Sequence, residues 1–91
     1  MISVKLPTLL RAHVDGRSEV EGEGASLGEL LDDLERHFPG LTDGLRDDRG
    51  LRRHVNVYVN GEDVRYTGGL DTSLGEGDTV SILPAVAGGS R

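Results

Sequence analysis

The fold is decided by the stretch Ser26-Leu27-Gly28-Glu29-Leu30-Leu31-Asp32-Asp33-Leu34-Glu35-Arg36-His37-Phe38-Pro39-Gly40. Ser26 is well placed as an N-cap, and Glu29, three residues later, completes a capping-box pattern. Pro39-Gly40 closes the segment. The apolar side chains fall on one face at helical spacing, and they are Leu27, Leu30, Leu31, Leu34 and Phe38. The stretch therefore predicts one amphipathic helix that must pack against a second layer.

Two strands are predicted before this helix. Apolar and polar side chains alternate from residue 2 to residue 6, which is the period of a strand with one buried face. Pro7-Thr8-Leu9-Leu10-Arg11 interrupts this strand, and Asp15-Gly16 supplies turn chemistry. Residues 17–21 follow as a weaker second strand, in which Val20 is the only strongly apolar residue.

Three further segments follow the helix. Residues 41–53 are rich in charge and glycine and predict a loop with one helical turn. Residues 55–59 alternate between valine and polar side chains, and Asn60-Gly61 is a strong hairpin signal, so Val64-Arg65-Tyr66 is the predicted return arm. The last strand, residues 79–83, stops at Pro84, which has no N–H to continue a ladder.

These elements predict an α+β fold of the β-grasp, or ubiquitin-like, type. One helix would lie across a mixed sheet of four to five strands. Because the helical segment is the only long crossover, the first and last strands are expected to pair in the middle of the sheet. We predict one β-grasp domain over residues 1–84 and a flexible C-terminal tail over residues 85–91, with no linker or repeat dividing the chain.

Composition excludes several classes of function. The chain has 91 residues and a net charge of −6, which argues against nucleic-acid binding and predicts a basic partner surface. It has no cysteine, which excludes disulfides, cysteine-zinc sites and cysteine nucleophiles and is compatible with the cytoplasm. The N-terminus lacks the features of a signal peptide, and no stretch approaches the length of a transmembrane helix. A cytoplasmic adaptor or carrier is expected, with no nucleic-acid or membrane partner.

The tail beyond Pro84 has an unusual composition for a chain end. Residues 85–89 carry no charge, whereas disordered tails are usually rich in charged and polar residues. Ala85, Val86, Ala87 and Gly88 are small or apolar, so this tail is predicted to thread into a narrow cleft. Gly88 and Gly89 have no Cβ atoms, so a partner could approach their backbone from all sides. This favours chemistry on the main chain itself.

Two other features have alternative interpretations. His13, His37 and His54 could be imagined as a metal trio, but they lie in three different segments, so solvated surface histidines are favoured and no metal site is expected. Tyr58 and Leu83 should point to the sheet face opposite Val57 and Ile82. Their side chains either belong to a partner interface or are incidental, since an isolated exposed apolar residue needs no explanation.

The chain resembles the ThiS/MoaD family of ubiquitin-like sulfur carrier proteins, and within it the CysO-like carriers of actinobacteria. The resemblance rests on nearly the whole chain: the first strand with its Pro7–Arg11 continuation, the leucine-rich helix, the stretch from residue 55 to residue 65, and Ile82-Leu83-Pro84-Ala85-Val86-Ala87-Gly88-Gly89. It covers far more than a lone Gly-Gly, which is a weak signal.

The resemblance implies a carrier rather than an enzyme. In this family an E1-like enzyme adenylates the C-terminal carboxylate with ATP and magnesium, and a sulfur donor displaces AMP to leave a thiocarboxylate, which here would form at Gly89. The carrier supplies no catalytic side chain and binds no cofactor. The implied sulfur acceptor is a cysteine-synthase-like enzyme with pyridoxal phosphate, although related carriers serve thiamin, molybdopterin or secondary-metabolite synthesis.

One departure from the simplest members is that Ser90-Arg91 follows Gly89, which places the Gly89 carbonyl in an amide. Because an amide cannot be adenylated, we predict that a JAMM-type zinc peptidase cuts between Gly89 and Ser90 before activation. Two other classes of function compete with the carrier. One is a non-covalent β-grasp interaction module with a dispensable tail, and the other is a small metal-dependent enzyme that uses the three histidines.

Overall fold

The computed structural model describes residues 1–84. The tail predicted over residues 85–91 lies outside the described residues, so the predicted domain boundary stays a prediction. The helices among the described residues are all too short or too polar to cross a membrane.

The helix predicted from the opening stretch is confirmed as α1, Leu27–His37. The Ser26 hydroxyl accepts a hydrogen bond from the Glu29 amide at 3.2 Å, as an N-cap should. The Glu29 carboxylate accepts from the Ala25 amide at 2.9 Å, one residue earlier than the standard capping box predicts. Four leucines of the predicted apolar face are buried, and Phe38, which ends the helix, is partly buried.

The strands, in chain order, are β1 Ile2–Lys5, β2 Glu19–Gly22, β3 Arg46–Asp47, β4 Gly50–Leu51, β5 Val55–Val59, β6 Glu62–Asp63 and β7 Thr79–Pro84. Five of them form a mixed sheet in the order β2-β1-β7-β5-β6. As predicted, the first and last strands pair in the middle of the sheet, and the structure shows that they run parallel. The buried leucines of α1 share one core with the inner face of the sheet, including Val4, Val57 and Val80. This is the predicted β-grasp roll.

The hairpin at Asn60-Gly61 is confirmed, because Asn60 (φ 51°) and Gly61 (φ 89°) both take the left-handed conformation that a tight hairpin turn needs. The predicted return arm is wrong. β6 ends at Asp63, and residues Val64–Tyr66 form a 3₁₀ helix. The Asp63 carboxylate accepts from the Arg65 amide at 2.9 Å, and this local capping bond replaces the ladder that a strand would need.

The interruption after β1 is a 3₁₀ helix, Thr8–Val14, and it ends in left-handed turns at Asp15 (φ 58°) and Gly16 (φ 82°) as the Asp15-Gly16 pair predicts. Val14 is buried in the core. The sequence pattern does not show this, because Val14 stands alone between polar neighbours.

The loop predicted over residues 41–53 is correct only in part. The single helical turn is replaced by separate turns, in which the amides of Leu41 and Leu45 donate to the carbonyls of Phe38 and Thr42, both at 3.0 Å. A two-stranded ladder of β3 and β4 follows. Leu41 and Leu45 are both buried.

Glu35 of α1 holds this loop in place. Its carboxylate accepts hydrogen bonds from the Gly40 amide at 2.6 Å, the Thr42 amide at 3.1 Å and the Thr42 hydroxyl at 2.7 Å. These bonds, first that from Gly40, hold the pKa of Glu35 below its usual value of 4.5. Thr42 is buried, so Glu35 also satisfies polar groups that would otherwise have no partner.

We expect Glu35→Gln to lower the free energy of unfolding at pH 7 by about 1–3 kcal/mol, the cost of weakening charge-assisted bonds to a buried partner. Because folding lowers the Glu35 pKa, its stabilisation is complete above the unfolded value of 4.5 and is lost as the pH falls through the folded pKa. The variant should therefore lose less stability than the native chain between neutral pH and acid. Urea unfolding at several pH values measures this, with Glu62→Gln on the exposed hairpin as the control. Equal effects of the two substitutions would contradict the anchor role of Glu35.

Candidate functional site

The predicted reactive residues lie outside the described part of the chain. They are Ala85, Val86, Ala87 and Gly88 for threading, Gly89 for activation and the Gly89-Ser90 bond for processing. What the structure shows is the platform from which they continue, namely the end of β7 and its neighbours. The functional geometry of this protein is therefore the geometry of that platform.

β7 is held by β1 up to Ser81 and by β5 up to its last residue, Pro84. On one side it pairs with β1, where Lys5 lies opposite Ser81. On the other side it pairs with β5, where Asn56 lies opposite Leu83 and Val55 opposite Pro84. Both rows of backbone groups of β7 face a neighbouring strand up to Ser81, and the antiparallel pairing with β5 alone aligns its last three residues.

The predicted orientation of Tyr58 and Leu83 is confirmed. Val57 and Ile82 are buried at 2% exposure each, whereas Leu83 is 47% exposed and Tyr58 is half-buried on the opposite, outer face. The two side chains lie on adjacent strands, since Tyr58 pairs with Ser81, two residues before Leu83. Both therefore lie on the face of the sheet opposite the hydrophobic core.

An apolar groove runs beside Leu83, and we call it the end groove. Its cavity measures about 110 Å³ and is lined by Pro7, Leu9, Leu10, Gly44, Leu45, His54, Val55, Ile82 and Leu83. Leu9 is 79% exposed on the 3₁₀ helix that follows β1. Leu9 and Leu45 were not among the predicted site residues. The only sequence feature that could have indicated Leu9 as a surface residue of interest is the apolar Leu9-Leu10 pair, which lies in a segment predicted to interrupt the first strand.

Arg65 fixes the strand that borders the end of β7. Its guanidinium donates to the carbonyls of Val55 at 2.9 Å and Arg53 at 3.1 Å and to the Asn56 side-chain oxygen at 2.6 Å. Because Val55 and Asn56 pair with Pro84 and Leu83, Arg65 stabilises the platform from its far side. Its planar fork suits several acceptors at once.

The three histidines do not come together as a metal site. His13, His37 and His54 are exposed, and among residues 1–84 no group of three or more histidine, aspartate or glutamate side chains is arranged to hold a metal ion. His37 instead contacts its own helix, with Nδ1 2.9 Å from the Asp33 carbonyl.

Comparison with known proteins assigns the family. The model of the ThiS family matches residues 4–89, which covers the helix, the whole sheet except the first two residues of β1, and most of the tail. This chain belongs to the ThiS family. The match includes Gly88-Gly89 and ends before Ser90.

Two relatives of this chain are sulfur carriers by name. The chain is 47% identical to the sulfur carrier protein CysO of Mycobacterium tuberculosis, over 97% of this chain and 98% of the relative. It is 36% identical to the molybdopterin synthase sulfur carrier subunit of the same organism, over 80% of this chain and 76% of the relative. These relatives are small carriers rather than enzymes, as expected for this chain.

A solved structure gives the same result for the fold. The structure of the BexX/CysO complex of Amycolatopsis orientalis matches with a TM-score of 0.92 and 46% identity, over 97% of this chain and 99% of the matching chain. The fold of this ThiS-family chain is thus the ubiquitin-like β-grasp of CysO. The relative in that structure is bound to a partner protein.

Proposed function

We propose that this protein is a sulfur carrier whose C-terminal carboxylate, at Gly89 after removal of Ser90-Arg91, is converted to a thiocarboxylate. The observation that carries the proposal is the extent of the ThiS match, which runs from the first strand through Gly89 and stops there. Identity of 47% to a CysO carrier over almost the whole length supports the same function.

The chemistry takes place on the main chain. A Gly89 carboxylate oxygen would attack the α-phosphorus of ATP and release pyrophosphate, which gives an acyl-adenylate. A sulfur nucleophile then forms a C–S bond at the acyl carbon while the C–O bond to AMP breaks. Each step needs the carbonyl to be approached closely, and a terminal glycine pair allows this approach.

The carrier contributes position rather than acid or base groups. β7 is held by β1 up to Ser81 and by β5 up to Pro84, so a partner that binds the domain also places the start of the tail. Such positioning converts a reaction between two molecules into one within a complex. We therefore assign no catalytic residue and no bound cofactor to this chain.

The partners follow from the same chemistry. We propose an E1-like adenylyltransferase and sulfurtransferase that uses ATP and magnesium, a JAMM-type zinc peptidase that releases Ser90-Arg91, and a sulfur-accepting synthase. A cysteine-synthase-like acceptor with pyridoxal phosphate is favoured over a molybdopterin synthase because identity to CysO, at 47%, exceeds the 36% to the molybdopterin carrier. A thiamin pathway is the third candidate. Because the proposed activation consumes ATP, we propose that it takes place in the cytoplasm.

We propose the outer face around Tyr58 and Leu83 as a docking face for these enzymes. Both side chains point away from the core, and Leu83 is the last exposed apolar residue described before the tail begins. A partner that covers Leu83 therefore contacts the domain directly beside the reactive segment.

Intact mass spectrometry tests the function. The protein purified from its own cells is measured before and after incubation with ATP, magnesium, the E1-like enzyme and a sulfide source. We expect loss of the Ser90-Arg91 mass and then a gain equal to replacement of one oxygen by sulfur. An unchanged mass, under conditions in which a known ThiS-family carrier reacts, would favour the non-covalent interaction module. Sulfur loading of a chain that still carries Ser90-Arg91 would refute only the processing step.

A further inference from the structure

The charges of this acidic protein are distributed unevenly along the central strands. β1 and β7 are parallel, so both begin at one end of the domain and finish at the other. Around the end where they finish lie Lys5 and Arg11, which line the concave surface next to Leu83, and Arg53, two residues before the Val55–Pro84 pair. Arg65 bonds to the Arg53 and Val55 carbonyls at the same place. The tail thus begins at a cationic end.

These cations are available to a partner. Lys5 and Arg53 are exposed, and neither they nor Arg11 form an ion pair with any carboxylate of residues 1–84. Two carboxylates lie among the cations. Glu19 pairs with Lys5 across β1 and β2, and Asp63 lies 3.5 Å from the Arg65 guanidinium. Four cations against two anions leave this end positive.

The opposite end is acidic. Glu21, Glu23 and Glu76 surround the N-terminal ammonium and together raise its pKa, with the hydrogen bond to Glu76 as the largest cause. Asp78 lies at the start of β7, where hydrogen bonds from the Gly75 amide and the Asn60 side chain hold its pKa below the usual value. The domain is therefore an electric dipole along β7, positive where the tail begins.

We infer that the surface of the activating enzyme that surrounds the entrance for the tail is acidic and binds the cationic end of this domain. This inference rests on the proposed function and specifies the partner surface. The net charge of −6 suggests the opposite, a basic partner. However, local charges at the contact decide complementarity, since charges more than a Debye length away are screened.

The end groove gives the cationic end an apolar cavity that a partner side chain could fill. Leu9 and Leu83 line it, and both also line the neighbouring concave surface that contains Lys5 and Arg11, while Arg53 directly precedes His54 of the groove lining. An apolar centre within a charged rim is the usual anatomy of a protein interface. The matching partner surface presents an apolar side chain to the end groove and carboxylates to Lys5, Arg11 and Arg53.

A second copy of this chain is the competing occupant, because its acidic end also complements the cationic end. Contacts of this head-to-tail kind would not close and would produce concentration-dependent chains of molecules. We favour the enzyme because the tail must enter a cleft at the cationic end, and stacked copies would cover it.

The test is the association rate of the full-length chain with the E1-like enzyme of the same organism, measured by stopped flow at low and high salt. We expect Arg53→Glu to lower the rate constant about five- to tenfold at about 20 mM salt, and less than about twofold at about 300 mM. The Arg53 side chain is exposed and its carbonyl remains for Arg65, so the fold should persist. Arg36→Glu on α1 is the matched control with the same charge change, and it should alter the rate less than about twofold.

The possible results distinguish a failure of the inferred acidic partner surface from a failure of the proposed sulfur-carrier function. If Arg53→Glu and Arg36→Glu slow binding equally, or neither does, the cationic end is not the contact and the inference is wrong, even if the wild type gains sulfur. If only Arg53→Glu slows binding, the inference stands, whether or not the mass gain is seen. Sedimentation of the chain alone decides the remaining case, because self-association that Arg53→Glu abolishes would assign this end to a second copy and overturn the inference.

Discussion

A chain that ends at Ala87 should gain no sulfur under conditions in which a chain that ends at Gly89 is converted fully. The reason is that the acyl carbon of the proposed thiocarboxylate belongs to Gly89, and the shortened chain has neither that atom nor the glycine pair that allows close approach. Intact mass after incubation with ATP, magnesium, the E1-like enzyme and sulfide measures the difference. The expected effect is complete loss.

The control for this truncation is stability. Both chains keep every residue of β7 and of the core, so their free energies of unfolding in urea should agree within about 0.5 kcal/mol. If the chain that ends at Ala87 gained sulfur, the assignment of the reactive acyl carbon to Gly89 would be wrong. A large loss of stability would instead show that the tail belongs to the domain.

Leu34→Ala should lower the free energy of unfolding by about 3 kcal/mol, a large share of the stability of a small domain. Leu34 is fully buried between α1 and the sheet, so the substitution removes apolar contacts and leaves a cavity. Urea unfolding measures the effect, and an associated loss of sulfur loading should follow the unfolded fraction. Leu9→Ala is the matched control, because Leu9 is 79% exposed and its loss should cost less than about 0.5 kcal/mol. Similar costs at the two positions would contradict the packing described above.

The parts of the fold that could be predicted from sequence are those with local causes. The helix shows its N-cap at Ser26 and its apolar face at helical spacing, and both are present in the structure. The hairpin shows Asn60-Gly61, a pair that takes left-handed backbone with little strain. The pairing of β1 with β7 followed from connectivity, since only one long crossover was available.

The parts that could not be predicted depend on contacts distant in sequence or on competing local bonds. The segment after α1 is shaped by the Glu35 carboxylate, which bonds to Gly40 and Thr42, and no periodic pattern reveals this. The return arm after Asn60-Gly61 ends early because Asp63 caps a 3₁₀ helix. Val64 was predicted as part of a strand because it is apolar and follows a hairpin turn.

The platform was predicted only in part for similar reasons. Tyr58 and Leu83 followed from alternation along single strands, and their orientation is confirmed. Leu9 and Arg53 gain significance only once the fold brings the end of β1, the start of β5 and the end of β7 together. The net charge of −6 is a sum over the whole chain, whereas a partner contacts only one end of the domain, so net charge does not predict the charge of the partner surface.

The central position of β7 also has a mechanical consequence. An enzyme that draws the tail into a cleft pulls on β7 along its own axis. Sliding β7 out of the sheet would require its bonds to β1, at residues 79–81, and to β5, at residues 80–84, to break together in shear rather than one at a time. The tail therefore continues from a strand whose bonds to two neighbours are loaded together, and a partner can pull on the tail without unfolding the domain.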